Sequence, residues 1–149
     1  MAQTHLSLTV HLIFHTADNR KSIKEEWREK LHSYLGGCIR AASCVPLAIG
    51  GTHDHVHILV GIRATHRLAD IVKDIKVASS KWVHEEFDHR AFAWQGGYCG
   101  ITVSPSQVPR VKRYIATQME HHKVQNFKDE YVALLNAAGV EYDPKYLWT

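Results

Sequence analysis

Two histidines at alternate positions, His55 and His57, sit in the run Gly50-Gly51-Thr52-His53-Asp54-His55-Val56-His57-Ile58-Leu59-Val60. On a strand, residues i and i+2 share a face, their backbones about 6–7 Å apart. Two imidazoles so placed can converge on one divalent ion, each nitrogen about 2.0–2.2 Å from it. Histidine-x-histidine is a short pattern, and two surface histidines on a wet sheet face satisfy it equally well. A second constellation lies further along. Tyr114, Gln118 and His121 follow one another at i, i+4 and i+7, beside a stripe of Val108, Val111, Ile115 and Met119. The glutamine amide oxygen could ligate a metal and the tyrosine phenol could act as a nucleophile; a rim tyrosine at the core edge is the plainer alternative. Arg110, Lys112, Arg113 and Lys123 crowd the same segment, and Lys73, Lys76 and Lys81 lie on the preceding helix. Such cations are expected to flank a site that handles phosphates.

The elements that must position these residues follow from periodicity. Leu6, Leu8, Val10, Leu12 and Phe14 alternate with Ser7, Thr9, His11, Ile13 and His15, which predicts a strand with one buried face. Ser22 and Glu25 have capping-box spacing before a helix bearing Trp27, Leu31, Tyr34, Leu35, Cys38 and Ala42. "CVPLAIGG" and "HVHILVGI" read as two strands, and Leu68, Ile71, Val72, Ile75 and Trp82 mark a second amphipathic helix. "FAWQGGYCGITVS" reads as a strand broken by a glycine bulge. One helix is expected from about Ser106 to Lys123 and another from Phe127 to Ala138, ended by Gly139. The order matches an α+β fold: a ferredoxin-like, RRM-like βαββαβ antiparallel sheet, with C-terminal helices carrying the tyrosine. Two helices would cover one sheet face and leave the other open. His55 and His57 would point from the open face, beside His11.

Composition narrows the function classes. The 149 residues, 45% hydrophobic and 22% charged, suit a single domain over 1–149 with a proper core. Three cysteines form no CxxC pair, and neither a leader peptide nor a membrane span is legible, so a cytoplasmic protein that uses no membrane is expected. The net charge of +3 permits a nucleic-acid partner without demanding one. A non-catalytic RNA-binding domain of this topology would carry stacking aromatics where this chain has His11, His55 and His57.

The segments "DHVHILV", "FAWQGGYCGITVS", "VKRYIATQMEHHK", "FKDEYVALL" and "YLW" together carry a resemblance. The chain resembles the single-tyrosine HUH transposases (TnpA type) of the IS two-hundred / six-hundred-and-five insertion-sequence family, named for histidine, hydrophobic residue, histidine. The resemblance implies Tyr114 as nucleophile and His55, His57 and Gln118 as metal ligands. It implies cleavage and rejoining of single-stranded DNA at element ends through a 5′-phosphotyrosine, recognition of DNA hairpins there, and a homodimer with composite active sites. The amide ligand suits Mg²⁺ or Mn²⁺, though two imidazoles would also accept zinc. The DNA contacts expected are His11, Lys73, Lys76, Lys81, Arg110, Arg113 and His121. A rolling-circle-type HUH nickase shares the site but usually comes in a longer chain. A domesticated DNA-binding relative would retain the same residues.

Overall fold

Alternation along β1 (Thr9–His15) and β3 (His55–Gly61) sorts side chains onto two faces of an antiparallel sheet. The computed structural model describes residues 2–148. Four strands run in the order β2 (Val45–Gly51), β3, β1, β4 (Cys99–Thr102). This is the ferredoxin-like order, with the two hydrogen-bonded hairpin partners β2 and β3 on one side of β1. Val10, Leu12, Phe14, Val56, Ile58 and Val60 pack beneath α1 (Glu25–Ala41) and α2 (Leu68–Glu86). Trp27, Leu31, Leu35 and Ile39 from α1 and Ile71, Val72, Ile75 and Val83 from α2 complete that core, burying apolar surface that supplies most of the folding free energy.

The opposite face is covered rather than open. Beyond β4 the chain forms α3 (Val108–Ala116), a short α4 (Gln118–His121) and α5 (Phe127–Ala137), and these return across the sheet. Two small apolar clusters hold them there. Leu59, Val103 and Ile115 pack with Val108, Val111 and Tyr114 under α3. Ile13, Cys99, Phe127, Tyr131 and Leu135 pack with Tyr142, Leu147 and Trp148 under α5. His55 and His57 lie between the two clusters and are fully buried.

Four local expectations are corrected. The single helix expected over 106–123 is two, broken at Thr117, whose φ of −108° and ψ of 25° leave the helical region; its hydroxyl bonds back to the Arg113 carbonyl, a habit that bends helices. Met119, expected in the core stripe, is consequently exposed. β1 begins at Thr9, with Leu6 and Leu8 exposed. The first helix begins at Glu25 after Lys24, with no side-chain cap, because Ser22 turns its hydroxyl to Arg20 instead. In "FAWQGGYCGITVS" only Cys99–Thr102 is a strand, and Trp94 makes a lone bridge to Thr16. The Lys76 ammonium donates to the carbonyls of Gln95 and Gly97 at 2.9 and 2.6 Å, satisfying backbone that would otherwise seek a ladder.

Gly50 sets how closely α3 can approach. A Cβ there would lie 2.2 Å from the Ile115 carbonyl oxygen. Gly50→Ala is therefore expected to destabilise the protein by roughly 1–3 kcal/mol and to displace α3. Gly37→Ala, on an exposed part of α1 where a Cβ meets nothing within 4 Å, should instead stabilise by about 0.5–1 kcal/mol. Urea denaturation of the two variants checks both signs.

Candidate active site

The buried histidines are oriented by partners behind them. His55 Nδ1 lies 2.8 Å from Asp54 Oδ1 and 3.1 Å from Thr52 Oγ1. Phe127 stacks on its ring, centroids 4.1 Å apart. A carboxylate behind one imidazole nitrogen fixes the ring and turns the other nitrogen inward. Burial alone would raise the Asp54 carboxyl, yet the His55 and Thr52 hydrogen bonds hold it below the usual range. With Nδ1 turned to Asp54, the other ring nitrogen, Nε2, faces Gln118 Oε1 at 2.9 Å.

His57 is held differently. Its Nδ1 lies 2.8 Å from His11 Nε2, and its Nε2 lies 3.1 Å from Glu130 Oε1. Burial pushes His57 down to about 4 and His11 down to about 3, so both are neutral near pH 7. One ring nitrogen of each must then donate and the other accept.

Glu130, at 1% exposure, is the hub that the sequence reading missed. Its Oε1 lies 3.1 Å from both His57 Nε2 and His122 Nε2. Its Oε2 accepts from the Tyr114 hydroxyl and, at 3.2 Å, from Gln118 Nε2. Burial would raise this carboxyl, but hydrogen bonds from His122, His57 and Tyr114 outweigh it and hold Glu130 well below the usual carboxylate range. Conversely, burial first and Glu130 second push the Tyr114 phenol well above its ordinary value. Among the described residues, His55, His122 and Glu130 offer donor atoms that all lie within 4.8 Å of one another, a grouping that could hold a metal. No spacing links position 130 to position 57; only the return of α5 across the sheet does.

The residues expected from sequence divide into three groups. His55, His57, Gln118 and Tyr114 come together within one chain. His11, expected among the DNA contacts, is instead buried against His57. Arg110 is exposed on α3, where it lines with His11, Gln107 and Tyr114 a cleft of about 450 Å³. Arg113 is exposed on the same helix, and His121 packs on the Tyr114 ring with centroids 4.6 Å apart. Lys73, Lys76 and Lys81 belong to α2, across the sheet from the histidines, and do not flank the site.

The second face of the ferredoxin-like sheet thus buries a histidine pair and an amide beside a half-buried tyrosine. The chain belongs to the family described as "Transposase IS200 like", whose match runs over residues 4–118. By family it is a transposase, a DNA-binding and DNA-cleaving protein. Among solved structures it is similar to a protein of Deinococcus radiodurans R1 provisionally assigned as a transposase. The two share 26% identity and a TM-score of 0.64, covering 79% of this chain and 98% of that one. It is also similar in fold to a REP-associated tyrosine transposase bound to a REP hairpin, at 12% identity and a TM-score of 0.60, covering 82% of this chain and 73% of that one. No curated protein sequence matches. No helix among the described residues is long and apolar enough to cross a membrane.

Neutral buried imidazoles set an acid limit on stability. His11, His57 and His32, the last pushed to about 4 chiefly by burial, stay neutral in the fold but titrate near 6.5 once exposed. Between those values the unfolded chain binds more protons, so stability rises with pH across this window and is lost as pH falls through it. The urea midpoint of chelator-treated protein should drop between about pH 6.5 and 4 and stay level above about 7. His32→Leu should flatten the fall.

Proposed function

We propose that the protein cleaves and rejoins single-stranded DNA at insertion-sequence ends, with Tyr114 as the nucleophile. The observation that carries this reading is the Tyr114 hydroxyl held by Glu130 inside the cluster of His55, His57 and Gln118. The residues fit a divalent ion, since His55 Nε2 and Gln118 Oε1 face one another at 2.9 Å and His57 Nε2 lies beside them against Glu130. His55, His57 and Gln118 would hold that ion, and Mg²⁺ or Mn²⁺ bound there would polarise the scissile phosphate and stabilise charge on the leaving oxygen.

The chain's own residues supply the rest. Tyr114 attacks the phosphorus, its Oη–P bond forming as the P–O3′ bond breaks. Its proton passes to Glu130, the carboxylate it already faces, and the departing oxygen takes up a proton from solvent to become a 3′-OH. The strand is left as a 5′-phosphotyrosine. In rejoining, a 3′-OH attacks that phosphorus and Tyr114 leaves, so bond energy is conserved without ATP. Arg110 and Arg113 on the tyrosine helix stand where the flanking backbone would pass.

The partner is a folded single strand of DNA, in line with the similar fold that carries a hairpin. A homodimer remains part of the reading, because moving a segment needs two cleavages and each chain brings one tyrosine. The resting geometry supports reaction in cis, since Tyr114 and Gln118 meet the histidines of their own chain.

Incubated with labelled hairpin DNA and Mn²⁺, the protein should form a denaturant-resistant adduct. Tyr114→Phe should bind the hairpin and form none, and an adduct in that variant overturns the assignment. Binding should weaken with salt at a log–log slope of about −0.7 per neutralised phosphate, and hairpin should outcompete duplex of equal length. Co-refolded His57→Ala and Tyr114→Phe chains separate the arrangements. A cis site predicts no adduct from the heterodimer, whereas rescue would mean that tyrosine helices exchange between partners.

A further inference from the structure

We infer that His122 and Glu130 are ligands of the same ion, completing with His55, His57 and Gln118 a nitrogen-rich site that prefers transition-metal ions and fastens α5 to the sheet. The inference rests on the proposed cation site and extends it to two residues beyond position 118, where the family match ends.

Geometry carries it first. Gln118 Oε1 lies 2.9 Å from His55 Nε2 and 3.1 Å from His122 Nε2. Glu130 Oε1 lies 3.1 Å from His122 Nε2, 3.1 Å from His57 Nε2 and 3.6 Å from His55 Nε2. Adjacent ligands of an octahedral ion with bonds of about 2.1 Å are separated by roughly 3.0 Å. The measured spacings are those of ligand edges as much as of hydrogen bonds. The donor atoms of His55, His122 and Glu130 all lie within 4.8 Å of one another.

Lone pairs point the same way. His55 commits Nδ1 to Asp54. On ion binding His57 would shift its proton from Nε2, where it serves Glu130, to Nδ1, where His11 Nε2 accepts it at 2.8 Å. His122 turns Nε2 toward both oxygens. The imidazole nitrogens of His55 and His122, the Gln118 amide oxygen and the Glu130 carboxylate oxygen therefore face a single space, and His57 Nε2 adjoins it against Glu130 Oε1, 3.1 Å away. Glu130 adds a full negative charge, and its second oxygen keeps hold of the Tyr114 hydroxyl. One carboxylate would thus join ion and nucleophile.

Chemical preference follows from the donor count. Mg²⁺ favours oxygen ligands and retains water, whereas imidazole suits Zn²⁺ and the later first-row ions, with Mn²⁺ tolerant of both. A third nitrogen shifts the site away from Mg²⁺. The ligands come from β3, α4, the turn after it and α5, so the ion would cross-link the C-terminal helix to the sheet.

The test is calorimetric titration of chelator-treated protein with Mn²⁺ and with Mg²⁺, paired with hydrogen exchange of residues 127–137. One Mn²⁺ per chain is expected, at least roughly tenfold tighter than Mg²⁺, with α5 amides gaining protection. Glu130→Gln and His122→Ala should each weaken Mn²⁺ binding by roughly tenfold or more and abolish the added protection. Thermal unfolding in chelator establishes that each variant is folded. Should either variant fail to fold, ¹⁵N-histidine spectra of the wild-type chain with Zn²⁺ decide instead: a metal-bound His122 supports the site, and binding confined to His55 and His57 overturns it. Wild-type affinity in both variants, with binding lost in His55→Ala, overturns the extension and leaves the three-ligand site standing. No Mn²⁺ binding by the wild-type chain overturns both.

Discussion

A carboxylate ionised inside a protein must be surrounded by donors, because the desolvation penalty of an unpaired buried charge is several kcal/mol. Glu130 is such a group, and much of the second sheet face is arranged around that requirement. His57 comes to it from β3, His122 from the turn after α4, Gln118 from α4 and Tyr114 from α3. Each donor ties a separate element to α5. The apolar clusters on either side keep water away from these bonds, which raises the cost of breaking any one of them. The arrangement is consequently cooperative: the helices that bring the tyrosine are docked by the same contacts that orient it.

That cooperation has a chemical side. The group that receives the Tyr114 hydroxyl also keeps it protonated at rest, since burial and the Glu130 charge together push the phenol up. A phenol held in this way stays protonated until positive charge enters beside it and changes the balance. The cleft beside Tyr114, lined also by His11 and Arg110, opens this side of the site to solvent.

The family match ends at Gln118, yet the groups that close the site lie beyond it. Glu130 enters on the first turn of α5, whose start is fixed by Asn126 accepting from the Asp129 amide. Phe127 of the same turn stacks on His55 and so seats both the helix and the imidazole. One turn of helix therefore delivers an apolar anchor and the carboxylate together.

Local pattern in the chain determined much of this. Period-two alternation assigned His55 and His57 to the face opposite Val56 and Ile58. That is a consequence of geometry within one element, so neighbouring residues suffice to reveal it. The element order likewise conveyed the ferredoxin-like sheet. What stayed hidden depends on residues far apart in sequence. The second face reads as open because nothing local says that α3 and α5 fold back over it. Gly50 looks like turn chemistry, though its lack of a side chain matters for Ile115, a residue of another element. His11 reads as a surface group until its partner His57 is seen behind it. Glu130 is one acidic residue among fifteen in the chain, and nothing nearby marks it. Its role arises from tertiary packing, which alone brings a carboxylate on the last long helix against imidazoles that the chain placed on a strand more than seventy residues earlier.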